Sequence, residues 1–357
     1  MKKIFFLFIV IFNIFQTKEE NLILNKEQRL LSQENKKKNL IITVITKYKW
    51  DSIAIFFNSI KNSKIKNCDV VTFVANMTKK TIDKIKSTNV KVLPMPEKYL
   101  KESIINSRWK IIMNYLDDNP NKYRYIFTSD TRDVFFQDDP FKYYDIQKPY
   151  LGIAIEDDTL EERINKEWII NAYGEEKHNQ IKNEKIFCVG TVWGTVDKFY
   201  EFAKLMWDNL SSEWSKEKHV IEQAVGNYLI YYDKKFSDCL VKSNNENGYV
   251  LTIGLTSNEK ILMNLNFEIF NAQGKKAAVI HQFDRRKELL NKAYLKYYPE
   301  YLDDTSNLIF VSIIVFIMIV IFLSNNYRKL SKKNREENFR LIRSRDDEEN
   351  GNQKIKL

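Results

Sequence analysis

The residues best suited to chemistry are gathered in Arg124 to Phe141, RYIFTSDTRDVFFQDDPF. Four strand-forming residues, Tyr125, Ile126, Phe127 and Thr128, run into Asp130 and Asp133. In an open α/β sheet, ligands collect beyond the carboxyl ends of strands. Two carboxylates at a strand exit can converge on one ion, and oxygen donors suit magnesium or manganese. The same residues also satisfy turn chemistry, with an aspartate capping a helix start and Arg132 pairing locally. Spacing leaves both readings open.

Further downstream, a short apolar run ends in His281, then Asp284, Arg285 and Arg286, within AVIHQFDRR. A neutral imidazole is a good third ligand for a manganese-type site, and arginines beyond it suit a diphosphate. A lone histidine serves equally as a structural group. In EQAVGN, Gln223 and Asn227 lie one helical turn apart beside Glu222 and Gly226, a surface for sugar hydroxyls or an ordinary solvated face. The glycines of Cys188–Gly194, CVGTVWG, allow close approach of a substrate or mark a strand bend.

These groups need elements to hold them, and the hydrophobic pattern supplies an α/β order. Leu40 to Thr46 is a continuous β-branched run of the kind buried in a parallel sheet. Asp51 then caps a helix with Ile53, Phe56, Phe57 and Ile60 inward. Strands follow at Val70–Val74 and Val90–Met95, separated by a helix from Asn76 to Ser87. A helix over Lys101–Leu116 turns Ile105, Trp109, Ile112 and Leu116 inward and ends at Asp118-Asn119-Pro120-Asn121. Further strands are expected at Tyr150–Ile155, Ile186–Trp193 and Val250–Leu255. Helices are expected at Val196–Leu210, with Phe199, Phe202, Ala203, Met206 and Leu210 inward, and at His219–Tyr231. Strand–helix alternation implies a mainly parallel, doubly wound sheet flanked by helices in one domain over 40–300.

The order of these features resembles the GT-A-fold nucleotide-diphospho-sugar glycosyltransferases. The likeness rests on the Rossmann-like opening half, the helix bearing Arg108 and Trp109, SDTRDVFFQDDPF, Asn165–Ile169, Gly190, EQAVGN and VIHQFDRR. It implies a GT-A-like mixed sheet and a Mn2+ or Mg2+ site built from Asp130, Asp133 and His281. Asp133 falls at the second position of that family's DxD motif, and Thr131 stands at the first. It further implies Arg108, Arg132, Thr46 and Arg285 at a nucleotide-diphospho-sugar donor, with Glu222 and Gln223 facing the transferred sugar or a glycan, glycoprotein or glycolipid acceptor. Glu222, Glu156 and Asp157 are the carboxylates that could act as a base in an inverting reaction. A catalytically inactive carbohydrate-binding or adaptor protein on the same fold is the rival expectation. A receptor signalling through its tail is a third.

The ends of the chain point to a membrane. Lys2 and Lys3 precede an apolar run from Ile4 to Phe12, so residues 1–17 read as a signal peptide or an uncleaved anchor. Residues 18–39 read as a polar stem. An uncharged stretch from Leu308 to Leu323 suits a transmembrane helix over 307–324. Asp303 and Asp304 precede it and Arg328, Lys329, Lys332 and Lys333 follow, which places a basic tail, 325–357, in the cytoplasm and 40–300 in the lumen of the endoplasmic reticulum or Golgi. Sequons at Asn76-Met77-Thr78 and Asn209-Leu210-Ser211 are compatible with that side. The net charge of +10 comes without an arginine–aromatic RNA-binding motif or zinc-finger spacing, so nucleic acid is not an expected partner. Cys68, Cys188 and Cys239 lack metal-site spacing, and Cys188 with Cys239 is a candidate disulfide in an oxidising compartment.

Overall fold

The computed structural model describes residues 37–100, 102–143, 148–301, 315–324 and 326–329. Contacts divide the chain into two units, one ending at Tyr298 and one beginning at Pro299. In the second unit, residues 315–324 and 326–329 are helical. Among the described residues no helix is long and apolar enough to cross a membrane. Residues 307–314 of the expected span, the leader segment 1–17, nearly all of the stem and most of the tail lie outside the described residues.

The first unit is an α/β fold. Its first half runs β1 (Lys38–Thr46), α1 (Trp50–Asn62), β2 (Cys68–Ala75), α2 (Lys79–Lys86), β3 (Lys91–Pro94), α3 (Ile104–Asp117) and β4 (Tyr123–Ser129). The short β5 (Val134–Phe136), β6 (Leu151–Thr159), α4 (Arg163–Tyr173) and α5 (Glu175–Ile181) follow. Next come β7 (Lys185–Thr195), α6 (Val196–Leu210), α7 (Glu213–Glu217), α8 (Glu222–Asn227) and one π-helical turn, Tyr228–Tyr232. The remaining elements are β8 (Leu240–Ser243), β9 (Val250–Thr252), β10 (Leu262–Met263), β11 (Ile269–Phe270), β12 (Val279–His281) and α9 (Lys287–Tyr297).

Seven strands form a mixed sheet in the order β3-β2-β1-β4-β7-β6-β8. The first four are parallel, β7 is antiparallel to both β4 and β6, and β8 runs parallel to β6. A small sheet, β5-β12-β9, stands beside it. On one face of the large sheet, Leu40, Ile42 and Ile126 pack with Trp109, Ile112, Phe199, Phe202 and Met206 of α3 and α6. On the other, Phe127 stacks edge-on with Phe136 of β5, which in turn meets Phe56 of α1. The main strands follow from their residue types: β1 is an apolar run buried through its centre, and α6 buries the five residues that helical spacing selects.

Several local expectations change. Asp51 sits in the first turn of α1, where it accepts from the Tyr298 hydroxyl at 2.9 Å, and Lys49 takes the cap position. Helix α3 begins only at Ile104. Its inward face is rotated from the apolar stripe, so Ile105 is 51% exposed while Arg108 is 7% exposed. The expected helix from His219 is short, because His219 takes a left-handed φ of 51° and regular turns start at Glu222. Strand β9 stops at Thr252, and Leu255 is exposed. The three cysteines are free, so the Cys188–Cys239 disulfide is not formed. Of the sequons, Asn76 is exposed on the loop after β2, whereas Asn209 is half-buried in α6 and donates to Leu205 O at 2.8 Å.

Candidate metal centre

The chain leaves β1 toward β2 and β3, then crosses back to place β4 on the other side of β1. That reversal makes the carboxyl ends of β1 and β4 a switch point, where open α/β sheets bind ligands. Thr43 Oγ1 donates to Ser129 O at 3.0 Å and ties the two strand ends together. Asp130 is the next residue, and Asp133 immediately precedes β5.

The small sheet supplies the third group. In the β5–β12 ladder His281 is paired with Val134, and Gln282 N donates to Asp133 O at 2.7 Å. The histidine is therefore brought to Asp133 by strand register, across a long stretch of sequence. His281 Nε2 lies 3.8 Å from Asp130 Oδ2 and 3.7 Å from Asp133 Oδ2, and one ligand atom from each residue falls within 4.8 Å of the others. Neighbouring ligands of an ion with bonds of about 2.0–2.6 Å sit roughly 3–4 Å apart, so these atoms could hold one metal ion. Asp133 and His281 are buried; Asp130 is partly exposed.

Strand β7 makes the floor. Its residues 189–191 form a bulge against β6, since Ile153 pairs with Val192 but Ala154 pairs with Cys188. Pairing with β4 ends at Ser129 and Thr191, leaving the backbone below Thr191 without a strand neighbour on that side. Asp130 N takes up Gly190 O at 2.8 Å. A Cβ on Gly190 would run into the His281 ring and lie 2.8 Å from Asp130 Oδ2, so only glycine leaves the cluster its space. Of the two readings of this glycine, the bend holds, and the groups that approach its bare backbone are the His281 ring and the Asp130 carboxylate.

The charges are unbalanced in a way that favours a cation. Burial pushes the Asp133 carboxyl up; His281 opposes this, and Asp130 and Asp284 add to it. Arg132 lies 3.8 Å from Asp133 and 3.4 Å from Asp284, but is more than half exposed. Tyr48, just beyond β1, is a neighbour that spacing does not reveal. Its phenol is raised by burial, and by Asp130, Asp133 and Asp284 against Arg132. His281 Nδ1 faces Cys188 Sγ at 3.6 Å. Burial pushes that thiol far up, and it meets the ring nitrogen opposite the one that faces the two carboxylates.

The other expected residues divide. Arg108 is near but turned inward: its Nη1 donates to Asp130 Oδ1 at 2.8 Å, and Nε and Nη2 go to Glu222 and Val189 O. Both Glu222 oxygens are engaged, Oε1 by Arg108 Nη2 at 2.8 Å and Oε2 by Arg108 Nε at 3.0 Å and Trp109 Nε1 at 2.9 Å. Gln223 accepts from Val189 N and donates to Phe187 O. Asn227, fully buried, accepts from Phe187 N and donates to Phe187 O. This pair is therefore not a solvated face; it completes the free edge of β7, and a Cβ on Gly226 would collide with Val189. Thr46 Oγ1 donates to Ala75 O at 3.0 Å. Arg285 is exposed, with its side chain packed over Gly254. Glu156 is 6% exposed, accepts from Gln282 Nε2 at 3.3 Å, and is pushed up by burial. Asp157 accepts from Asn245 at 3.2 Å. Gln282 itself adopts a left-handed φ of 60°.

Compared with known protein families and with curated proteins, the sequence finds no match.

Proposed function

We propose that the chain is a divalent-metal-dependent glycosyltransferase, moving a sugar from a nucleotide-diphospho-sugar to an acceptor hydroxyl on a glycan, glycoprotein or glycolipid. The observation that carries this is the convergence of Asp130, Asp133 and His281 at the switch point of a Rossmann-like half-sheet. Two carboxylates and an imidazole suit Mn2+ or Mg2+, ions that usually keep positions for substrate phosphate. Such an ion supplies charge stabilisation to a departing diphosphate.

The chain's own residues would do the rest. Arg132 offers an exposed guanidinium beside the cluster for diphosphate oxygens, and Arg285, exposed over Gly254, offers a second. Tyr48, partly buried just beyond β1, lies within the influence of the Asp130, Asp133 and Asp284 charges. Of the three carboxylates expected as a base, Glu156 suits proton transfer best: it is buried, its affinity for a proton is raised, and among the described residues no ion pair within 4 Å holds it. Glu222 is committed to Arg108. The leader segment and the apolar stretch before the basic tail support a secretory-pathway membrane address with the α/β unit lumenal.

The rival reading, a carbohydrate-binding or adaptor protein without activity, draws on Thr131 at the first DxD position. Thr131 is buried, 3% exposed, and Asp130 stands in as the second carboxylate, which favours the enzyme. The deciding experiment is a thermal-shift screen of nucleotide-sugars on the detergent-solubilised full chain, with and without Mn2+, followed by a transfer assay. A manganese-dependent rise in melting temperature for one donor is expected. Glycan binding with no nucleotide-sugar response would replace this reading with the rival.

A further inference from the structure

Asp130 is the least confined of the three candidate ligands, with 45% of its side chain exposed at a strand end. We propose that Arg108 is a positioning residue for the cation site, fixing one oxygen of Asp130 so that the other faces the ion, and that Glu222 and Trp109 hold Arg108 in place. The inference needs the cation site alone and stands apart from the transferase reading.

The geometry is a relay of fixed groups. Arg108 Nη1 donates to Asp130 Oδ1 at 2.8 Å, and the opposite oxygen, Oδ2, is the one that approaches His281 Nε2. One donor therefore determines which carboxylate oxygen is free. The guanidinium cannot drift, because Nε and Nη2 engage both oxygens of Glu222, and Nη2 also meets Val189 O on the β7 bulge. Glu222 is itself held by Trp109 Nε1, from the residue next to Arg108 and fully buried. The planar fork meets four oxygens at once, one of Asp130, two of Glu222 and Val189 O, whereas a lysine ammonium carries three donors on a single nitrogen.

The sign of the effect depends on which contribution dominates. A cation beside a metal site repels the metal, and on that ground alone removal of Arg108 would strengthen binding. Here Arg108 is paired with two carboxylates, Asp130 and Glu222, each at 2.8 Å, which damps its repulsion of a cation. Ordering of Asp130 therefore outweighs repulsion, and loss of the fork weakens binding. Glu222 is thereby removed from the acceptor-facing role that its position in EQAVGN suggests.

The test is a double-mutant cycle on the full chain, with Mn2+ affinity read by titration and the bound ion's coordination by electron paramagnetic resonance. Arg108→Lys keeps the charge and loses the fork; it is expected to weaken Mn2+ binding about 10–100-fold and to broaden the bound-ion spectrum. In an Asp130→Asn background, the same substitution should change affinity less than about twofold, because its whole action passes through Asp130. Equal losses in both backgrounds would show a merely structural arginine and overturn the proposal, as would unchanged affinity in Arg108→Lys. If Arg108→Lys does not fold, Glu222→Gln takes its place in the cycle, with a smaller loss expected and the same additivity criterion.

Discussion

Asp133 and Glu222 are both buried carboxylates at the same edge of the sheet, 7% and 8% exposed, yet they are satisfied in opposite ways. Glu222 is complete: three donors from Arg108 and Trp109 reach its two oxygens within 3.0 Å. Asp133 is left waiting. Its ion-pair neighbours among the described residues are His281 at 3.7 Å and the exposed Arg132 at 3.8 Å, with Asp130 and Asp284 adding like charge. A buried charge without a close partner is costly, whereas one that a fork of donors encloses is a finished piece of structure. The open carboxylate is where a cation has something to gain. The closed one belongs to the scaffold.

The largest expected effect tests the open side. Asp133→Asn removes a ligand and the desolvated charge together. Mn2+ affinity should fall by more than about 100-fold, beyond what a change outside the ligand shell costs, while the metal-free protein melts higher. Titration calorimetry and a melt in chelator check the two halves. A variant that kept its metal would remove Asp133 from the site, and one that melted lower without metal would show its charge already compensated.

The closed side predicts the reverse pattern. Asn227→Ala strips the partner from Phe187 N, on an edge of β7 that no strand covers, while Phe187 O keeps its bond from Gln223 Nε2 at 2.6 Å. Stability should drop by about 2 kcal/mol, from one buried backbone N–H left unmet, with the Mn2+ affinity of the folded protein unchanged. Denaturant unfolding with a parallel metal titration separates the two. A matching loss of affinity would merge the regions and end the contrast.

What sequence reveals follows the same division. The parallel half of the sheet was legible because β1 and β4 are long apolar runs, and α6 carries its stripe at regular spacing. Asp130, Asp133 and His281 stand out as candidates from their places at strand ends, and the family resemblance is what groups them as ligands of one ion. Their convergence was not legible, since it depends on the register of a three-residue strand, β12, against β5. EQAVGN misled for a different reason. Polar side chains one turn apart on a helix read as a solvated face, and only the overhang of β7 beyond β4 makes that face an interior one. Tyr48 and the inward turn of Arg108 had no local signal: one lies on an ordinary loop, and the other replaces an apolar residue in a stripe by meeting two carboxylates.

The smallest effect is a slope with pH, and it belongs to the closed side. Burial pushes the Glu222 carboxyl up to about 7, against the pull of Arg108, with Asp130 adding to the rise. In the unfolded chain a glutamate titrates near ~4.3. The folded state therefore binds the proton more tightly, and its contribution to stability is fully present below that lower value. Stability from this group is lost progressively as pH rises from about 4.3 through about 7. Glu222→Gln, which resembles the protonated form and cannot ionise, should flatten the dependence of melting temperature on pH across that window. Glu156 is pushed up by burial as well, so the variant should reduce the slope rather than abolish it. A slope identical to that of the unsubstituted protein would mean that Arg108 holds Glu222 ionised throughout. The pair would then be an ordinary buried salt bridge, with burial the weaker of the two influences on its carboxylate.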